Sequence, residues 1–169
     1  HMWGRLAAEM DPAASGDVSA NAAAALRRDL GRRLAEVAGH ACYAAFTRDR
    51  PPGKDVMLRL GTTAPTGTDA YTTWCREQLA DGLQQLLGAF PVLGRLLAET
   101  ATSWQRATGE LIRRIHTHRD ALLRVFGVVG PLTGIAPGRS DSHRGGHTVA
   151  LLQFGAVTVV YKPKDLRLE

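Results

Sequence analysis

The chain has 169 residues, of which 44% are hydrophobic and 22% charged, and its net charge is +5 at pH 7. This length fits one domain or slightly more, and the composition excludes a wholly disordered chain. No apolar run reaches the roughly 18 residues of a membrane span, no secretory signal is visible, and two cysteines exclude a disulfide scaffold, so a cytoplasmic location is expected.

The first helix follows a short lead-in. Residues 1–16 are expected to be a tag remnant and a loose lead-in, because residues 3–16 are short of large apolar side chains. Asp17 is then placed to cap the next segment. From residue 18 to 46, apolar residues recur every three or four positions, which predicts one long helix. Its other face carries a basic stripe, which is usually a solvated face but also suits nucleic acid or an acidic peptide. The basic stripe consists of Arg27, Arg28, Arg32 and Arg33.

Two more helices are predicted in the middle of the chain. Residues 50–67 are rich in Pro and Gly and are expected to form a loop. A second helix is predicted from Thr68 to Phe90, and Pro91 suits the first turn of a third helix that runs to about residue 126. His116 and His118 lie two apart on this helix, so they project from different sides, and we interpret them as solvated rather than metal-binding.

The sequence changes character after Gly127, where glycines become frequent. Residues 148–154 and 157–162 are rich in β-branched residues and are separated by Gly155-Ala156, which predicts a β-hairpin. The predicted division is a lead-in over 1–16, a helical region over 17–130, and a loop with a hairpin over 131–169. The fold class is mostly α with a C-terminal β-hairpin, an α+β arrangement. Because an isolated hairpin is barely stable, we expect the chain to end inside a domain.

One stretch carries a pattern with chemical meaning. The paired glycines Gly145 and Gly146 lead into the hairpin, whose second strand ends at Lys162. Adjacent glycines let a backbone approach anionic oxygens, and a strand lysine can place its ammonium on the same phosphates, as in kinases. Because side chains alternate along a strand, Lys162 should share a face with Thr158 and Val160. From the residues alone, a nucleotide site and an ordinary surface turn with a solvated lysine both stay open.

Two motifs point to a family. Residues 140–147 read Ser-Asp-Ser-His-Arg-Gly-Gly-His, and residues 160–164 read Val-Tyr-Lys-Pro-Lys. Upstream, residues 90–96 read Phe-Pro-Val-Leu-Gly-Arg-Leu, and residues 104–106 read Trp-Gln-Arg. Together these segments resemble the dehydratase domain of class II lanthipeptide synthetases (LanM type). The resemblance is strong over 90–168 and diffuse over 17–89.

The resemblance implies a helical region leading into an incomplete lipid-kinase-like N-lobe. It implies an enzyme that phosphorylates Ser and Thr of a lanthipeptide precursor peptide with ATP and Mg²⁺ and then eliminates phosphate. Zn²⁺ would bind only in a cyclase domain outside this chain, and no residue of this chain would be a metal ligand. The implied partners are the precursor peptide and the remainder of the synthetase, without nucleic acid. The implied site residues are Asp141, His143 and Lys162 in catalysis, and Arg144, Gly145, Gly146 and Lys162 in nucleotide binding.

The chain also departs from the family pattern. Ser142 replaces a usual Pro, and His147 replaces a usual Arg, which removes a fixed cation near the phosphates. A kinase-like site needs a catalytic loop and a metal-binding Asp after the strand lysine. This chain alone is therefore expected to be inactive. The alternative is a non-catalytic helical module whose basic stripe binds the leader peptide or a partner chain.

Overall fold

The computed structural model describes residues 16–49, 67–138 and 146–163. These residues are mostly helical with a small antiparallel sheet, which confirms the predicted α+β class. Of the predicted lead-in over 1–16 and the predicted loop over 50–67, residues 1–15 and 50–66 lie outside the described residues, and Gly67 is the first residue of a helix. The elements are α1 (Ala20–Asp49), α2 (Gly67–Ala80), α3 (Gln84–Ala89), α4 (Pro91–Thr117), α5 (Arg119–Phe126), β1 (Gly134–Ala136), β2 (Ala150–Phe154) and β3 (Val157–Tyr161).

The start of α1 corrects the predicted cap. Ser19, not Asp17, is the N-cap residue, because its Oγ accepts the backbone N–H of Ala22 at 3.3 Å. Asp17 is instead buried, with His116 Nδ1 at 2.8 Å and Arg119 as its second partner. His116 therefore has a carboxylate partner, although 74% of its side chain is exposed.

Both later helical predictions are correct in extent but miss an interruption. The predicted second helix breaks after Ala80, where Gly82 and Leu83 both adopt positive φ, at 71° and 66°. The predicted third helix breaks at His118, where ψ is 20°. The second break is slight, since the amide of His118 still donates to the Arg114 carbonyl at 2.9 Å. Apolar periodicity continues across both breaks and therefore does not reveal them.

The predicted hairpin is confirmed, and it gains a third strand. β2 and β3 pair antiparallel with Phe154 opposite Val157, so the connection is Gly155-Ala156. β1 pairs antiparallel with β2, which gives the sheet order β1-β2-β3. β1 has only three residues in a stretch rich in glycine and proline, too few to show an alternating pattern.

The chain divides into two compact units, residues 1–33 with 99–169 and residues 34–98. In the first unit, one face of the sheet packs on α4 and on the start of α1, and Leu132 is fully buried there. The amide of Leu132 donates to the Asp17 carbonyl at 2.7 Å, which joins the segment before α1 to the segment before β1. The buried core consists of Val18, Ala22, Ala23, Leu111, Ile115, Val128, Leu132, Ala150, Leu152 and Phe154.

The second unit has a separate core around Trp74. The ring of Phe46 lies edge-on to Tyr71, with 5.2 Å between the ring centroids, and the Trp74 indole N–H donates to Asp49 Oδ2 at 3.3 Å. The predicted domain boundary near residue 130 does not coincide with this division and stays a prediction. Within the residues described, no helix combines the length and apolarity that crossing a bilayer requires.

Replacing the fully buried Leu132 tests the core of the first unit. We expect Leu132→Ala to lower the free energy of unfolding by about 2–5 kcal/mol, because it removes apolar contacts and leaves a cavity. The matched control is Leu123→Ala, whose side chain is 50% exposed, and its expected change is within about 0.5 kcal/mol. Urea unfolding followed by circular dichroism measures both, and equal losses would contradict the assigned core.

Candidate functional site

The structure places two of the predicted site residues, Gly146 and Lys162. Asp141, His143, Arg144 and Gly145 lie outside the described residues, as does Ser142. Their roles therefore stay predictions. The residues on either side of them, Gly138 and Gly146, show how this part of the chain is attached to the fold.

Gly146 lies against helix α4 in a conformation that only glycine adopts readily. Its φ is 97°, and a Cβ atom there would lie 3.4 Å from the backbone carbon and oxygen of Ser103. Its carbonyl accepts a hydrogen bond from the Arg33 guanidinium at 3.3 Å. Gly146 thus has a packing requirement that is independent of any ligand.

Gly138, the described residue before the segment 139–145, is bonded to a residue between Gly146 and β2. The amide of Gly138 donates to Thr148 Oγ1 at 3.1 Å. Because Thr148 is only two residues after Gly146, this bond holds the described residues on either side of the segment 139–145 close to each other. We call these described residues, Gly138, Gly146 and Thr148, the loop base, and hydrogen bonds hold them in place.

A buried carboxylate, Asp29, organises the helical side of this base. Only 5% of its side chain is exposed, and it accepts hydrogen bonds from Arg32 at 2.8 Å and from Arg33 Nε at 2.9 Å. The Trp104 indole N–H adds a third bond at 3.1 Å. Both carboxylate oxygens are thus used, which a buried charge requires. Two members of the basic stripe are consequently paired within the chain.

A second polar network joins α4 to β3 and to the residue after Gly146. Glu110 forms an ion pair with Arg114, and its other oxygen lies 3.4 Å from His147 Nε2. Arg114 donates to the Tyr161 hydroxyl at 3.1 Å and lies over the Tyr161 ring, 5.8 Å from its centroid. Burial raises the pKa of the Tyr161 phenol, and Arg114 opposes part of that shift, so the phenol stays protonated at neutral pH.

Lys162 follows β3 directly and is exposed. Along β3, Val157, Val159 and Tyr161 are half-buried while Thr158 and Val160 are exposed, which confirms the predicted alternation. The exposed Lys162 ammonium is therefore accessible to a ligand in solution. Lys162 is not among the residues that line the cavity beside Gly146.

The cavity that the described residues form is small. It has a volume of about 40 Å³ and is lined by Asp29, Arg33, Trp104, Gly146 and Tyr161, among others. A water molecule occupies roughly 30 Å³ in the liquid, so the space suits one or two waters. Gly146 and Tyr161 line this cavity and Lys162 does not, so the described residues do not bring Lys162 and Gly146 to one pocket. Within 16–49, 67–138 and 146–163, no group of three or more His, Cys, Asp or Glu side chains could hold a metal ion.

The cysteines lie elsewhere, in the core of the second unit. Cys42 and Cys75 are both half-buried free thiols. Burial raises the pKa of the Cys42 thiol, and the neighbouring Cys75 raises it further. Cys42 is therefore a thiol rather than a thiolate at neutral pH, which is unfavourable for nucleophilic chemistry.

Sequence reasoning missed the residues that hold the loop base. Asp29 carries a recognisable signal, since it is the acid placed three and four residues before two arginines of the stripe. Trp104 belongs to a segment that the family resemblance already includes. Glu110 and Arg114 have no signal beyond their own i,i+4 spacing, because their contact with Tyr161 depends on tertiary packing.

A comparison with protein families gives one match. Residues 90–169 match the model of a domain of unknown function (DUF4135). The matched stretch contains α4, α5 and all three strands, and thus includes Trp104, Gly146 and Lys162. No curated protein matches the chain.

We expect Gly146→Ala to destabilise the fold more than the same change at Gly155. Gly146 has a φ of 97° and Gly155 a φ of 59°, and nothing lies within 4 Å of a Cβ at Gly155, whereas a Cβ at Gly146 would lie 3.4 Å from the Ser103 backbone. Gly155→Ala should cost about 1 kcal/mol through backbone strain, and Gly146→Ala at least about twice that. Thermal unfolding of both variants measures the difference, and equal costs would show that the contact with α4 contributes nothing.

We expect Asp29→Asn to lower the free energy of unfolding by about 3 kcal/mol, because it leaves a largely buried guanidinium without its countercharge. Asp49→Asn is the matched control, since Asp49 also accepts a tryptophan N–H but its side chain is 39% exposed. Its expected cost is about 1 kcal/mol or less. Chemical unfolding separates the two, and a larger loss for Asp49→Asn would refute the assigned role of Asp29.

Proposed function

We propose that this chain is part of the dehydratase of a class II lanthipeptide synthetase. The enzyme would phosphorylate Ser and Thr of a precursor peptide with ATP and eliminate the phosphate to leave dehydroamino acids. The observation that carries the proposal is the family match over residues 90–169, since this domain is found in lanthipeptide synthetase-like proteins. The motifs over 140–147 and 160–164 lie within the same stretch and support it.

In the proposed reaction, the hydroxyl oxygen of a precursor Ser or Thr attacks the γ-phosphorus of ATP, and ADP leaves. Loss of the α-proton then breaks the carbon–oxygen bond, so phosphate departs and dehydroalanine or dehydrobutyrine remains. Lys162 would neutralise charge on the phosphates. His143, with an ordinary pKa of about 6.5, would donate to the leaving phosphate, and Asp141 would orient His143. Arg144, Gly145 and Gly146 would contact the nucleotide.

The contacts in the structure favour a phosphate role for Lys162 over one for the basic stripe. Lys162 is exposed on the free face of β3. Arg32 and Arg33, by contrast, already pair with Asp29. The alternative, in which the stripe of a non-catalytic module binds the leader peptide, therefore has fewer available charges. Mg²⁺ would be held by residues outside the described ones, and the proposed setting is the cytoplasm, with the remainder of the synthetase as partner.

The test is ATP-dependent phosphorylation of the precursor peptide by the complete synthetase carrying this chain. We expect Lys162→Ala to lower kcat/KM for ATP on the order of 100-fold, because one cation on the transferring phosphate is lost. Mass spectrometry of the peptide detects both the phosphorylated and the dehydrated products.

Arg124→Ala is the control, because it removes one charge from the exposed surface of α5 and should leave the rate unchanged. If the unmodified synthetase forms no phosphorylated or dehydrated peptide, the dehydratase proposal is wrong. If it does and Lys162→Ala has no effect, the lysine has no part in phosphate binding. Leader-peptide binding that survives deletion of residues 137–169, without any modification, would favour the helical module.

A further inference from the structure

We propose that Arg33 is a positioning residue, which fixes the carbonyl of Gly146, the described residue that follows the segment 139–145. The guanidinium reaches in two directions. Its Nε donates to Asp29 Oδ2 at 2.9 Å, and its NH1 donates to the Gly146 carbonyl at 3.3 Å. Arg33 and Gly146 are 113 residues apart in sequence, so their hydrogen bond joins α1 directly to the segment before β2.

Arg33 differs from the rest of the basic stripe in its burial. Only 16% of its side chain is exposed, compared with 52% for Arg32, and Arg28 is exposed. A largely buried guanidinium is tolerated because the Asp29 carboxylate balances its charge. The sequence pattern places Arg33 on a solvated face, whereas the structure places it against the loop base.

The orientation of Arg33 is set by its neighbours. Asp29 cannot turn freely, because Trp104 and Arg32 also donate to its oxygens. The Arg33 fork is planar and rigid, so the bond to Asp29 directs NH1 toward Gly146. The backbone of Gly146 also lies beside α4, since a Cβ atom on this residue would lie 3.4 Å from the Ser103 backbone. Position and direction of the Gly146 carbonyl are thus determined by α1 and α4 together.

A lysine at position 33 separates this role from simple charge. Lysine keeps the positive charge for Asp29, but its single ammonium lacks the fork that spans both partners. The matched control is Arg28→Lys, the same change on an exposed residue of the same helix. The kinetic consequence rests on the proposed function, in which Gly146 contacts the nucleotide. The structural consequence does not rest on it.

The first measurement is hydrogen exchange on the 169-residue chain. Arg33→Lys should raise the exchange rate of amides 146–149 about tenfold, the equivalent of one hydrogen bond to a charged group. Exchange across the β2–β3 ladder should stay unchanged, which shows that the fold persists. Arg28→Lys should change neither. Equal exchange at 146–149 in Arg33→Lys and the unmodified chain would overturn the inference.

The second measurement uses the complete synthetase. Arg33→Lys should raise the KM for ATP about tenfold and leave the KM for precursor peptide unchanged. An altered exchange rate with an unaltered KM for ATP would reduce Arg33 to a purely structural residue and overturn its positioning role. A raised peptide KM in both arginine variants would also overturn it, in favour of peptide binding by the stripe. If the unmodified synthetase does not phosphorylate at all, the proposed function fails, while faster exchange in Arg33→Lys still supports the anchor.

Discussion

A carboxylate shielded from water is stable only when its charge is balanced and its oxygens accept hydrogen bonds. Asp29 meets both conditions with two guanidinium groups from its own helix and the indole N–H of Trp104 on α4. The packing of the first unit depends on this arrangement, because the same guanidinium that balances Asp29 also holds the Gly146 carbonyl. One buried charge thus determines where α1, α4 and the loop base meet.

The composition of the chain does not indicate that arginines of α1 balance the buried Asp29. A net charge of +5 and a row of arginines on α1 suggest a surface that attracts anions. Pairing inside the fold changes that interpretation, since Arg32 and Arg33 share one internal carboxylate. The number of arginines on a helix is therefore a poor measure of its available charge when an acid lies three or four residues earlier. An exposed lysine directly after a short strand, such as Lys162, is the better candidate for binding an external anion.

Local patterns predicted the elements whose stability is local, and tertiary contacts decided the rest. Amphipathic spacing located the helices, and the pair of β-rich runs around Gly155 located the hairpin. The breaks in the helices at Leu83 and His118 were not predicted, because the apolar spacing continues through them. Strand β1 was not predicted, because its three residues form a strand only by pairing with β2. Asp17 resembled a cap because only the folded chain brings His116 and Arg119 to it.

The candidate site was predictable to a similar degree. The motif made Lys162 a candidate for phosphate binding, which stays a prediction, and strand alternation placed it on the exposed face. Neither explains what holds the end of β3 in place. Tyr161 does so from the opposite face, through its hydroxyl bond and ring contact with Arg114. Adjacent strand residues point to opposite sides, so a fixed Tyr161 also fixes the backbone from which Lys162 extends. The position of the exposed Lys162 thus depends on the half-buried phenol of Tyr161. The hydrogen-bond partner of that phenol, Arg114, lies 47 residues earlier, and no sequence pattern indicates the contact.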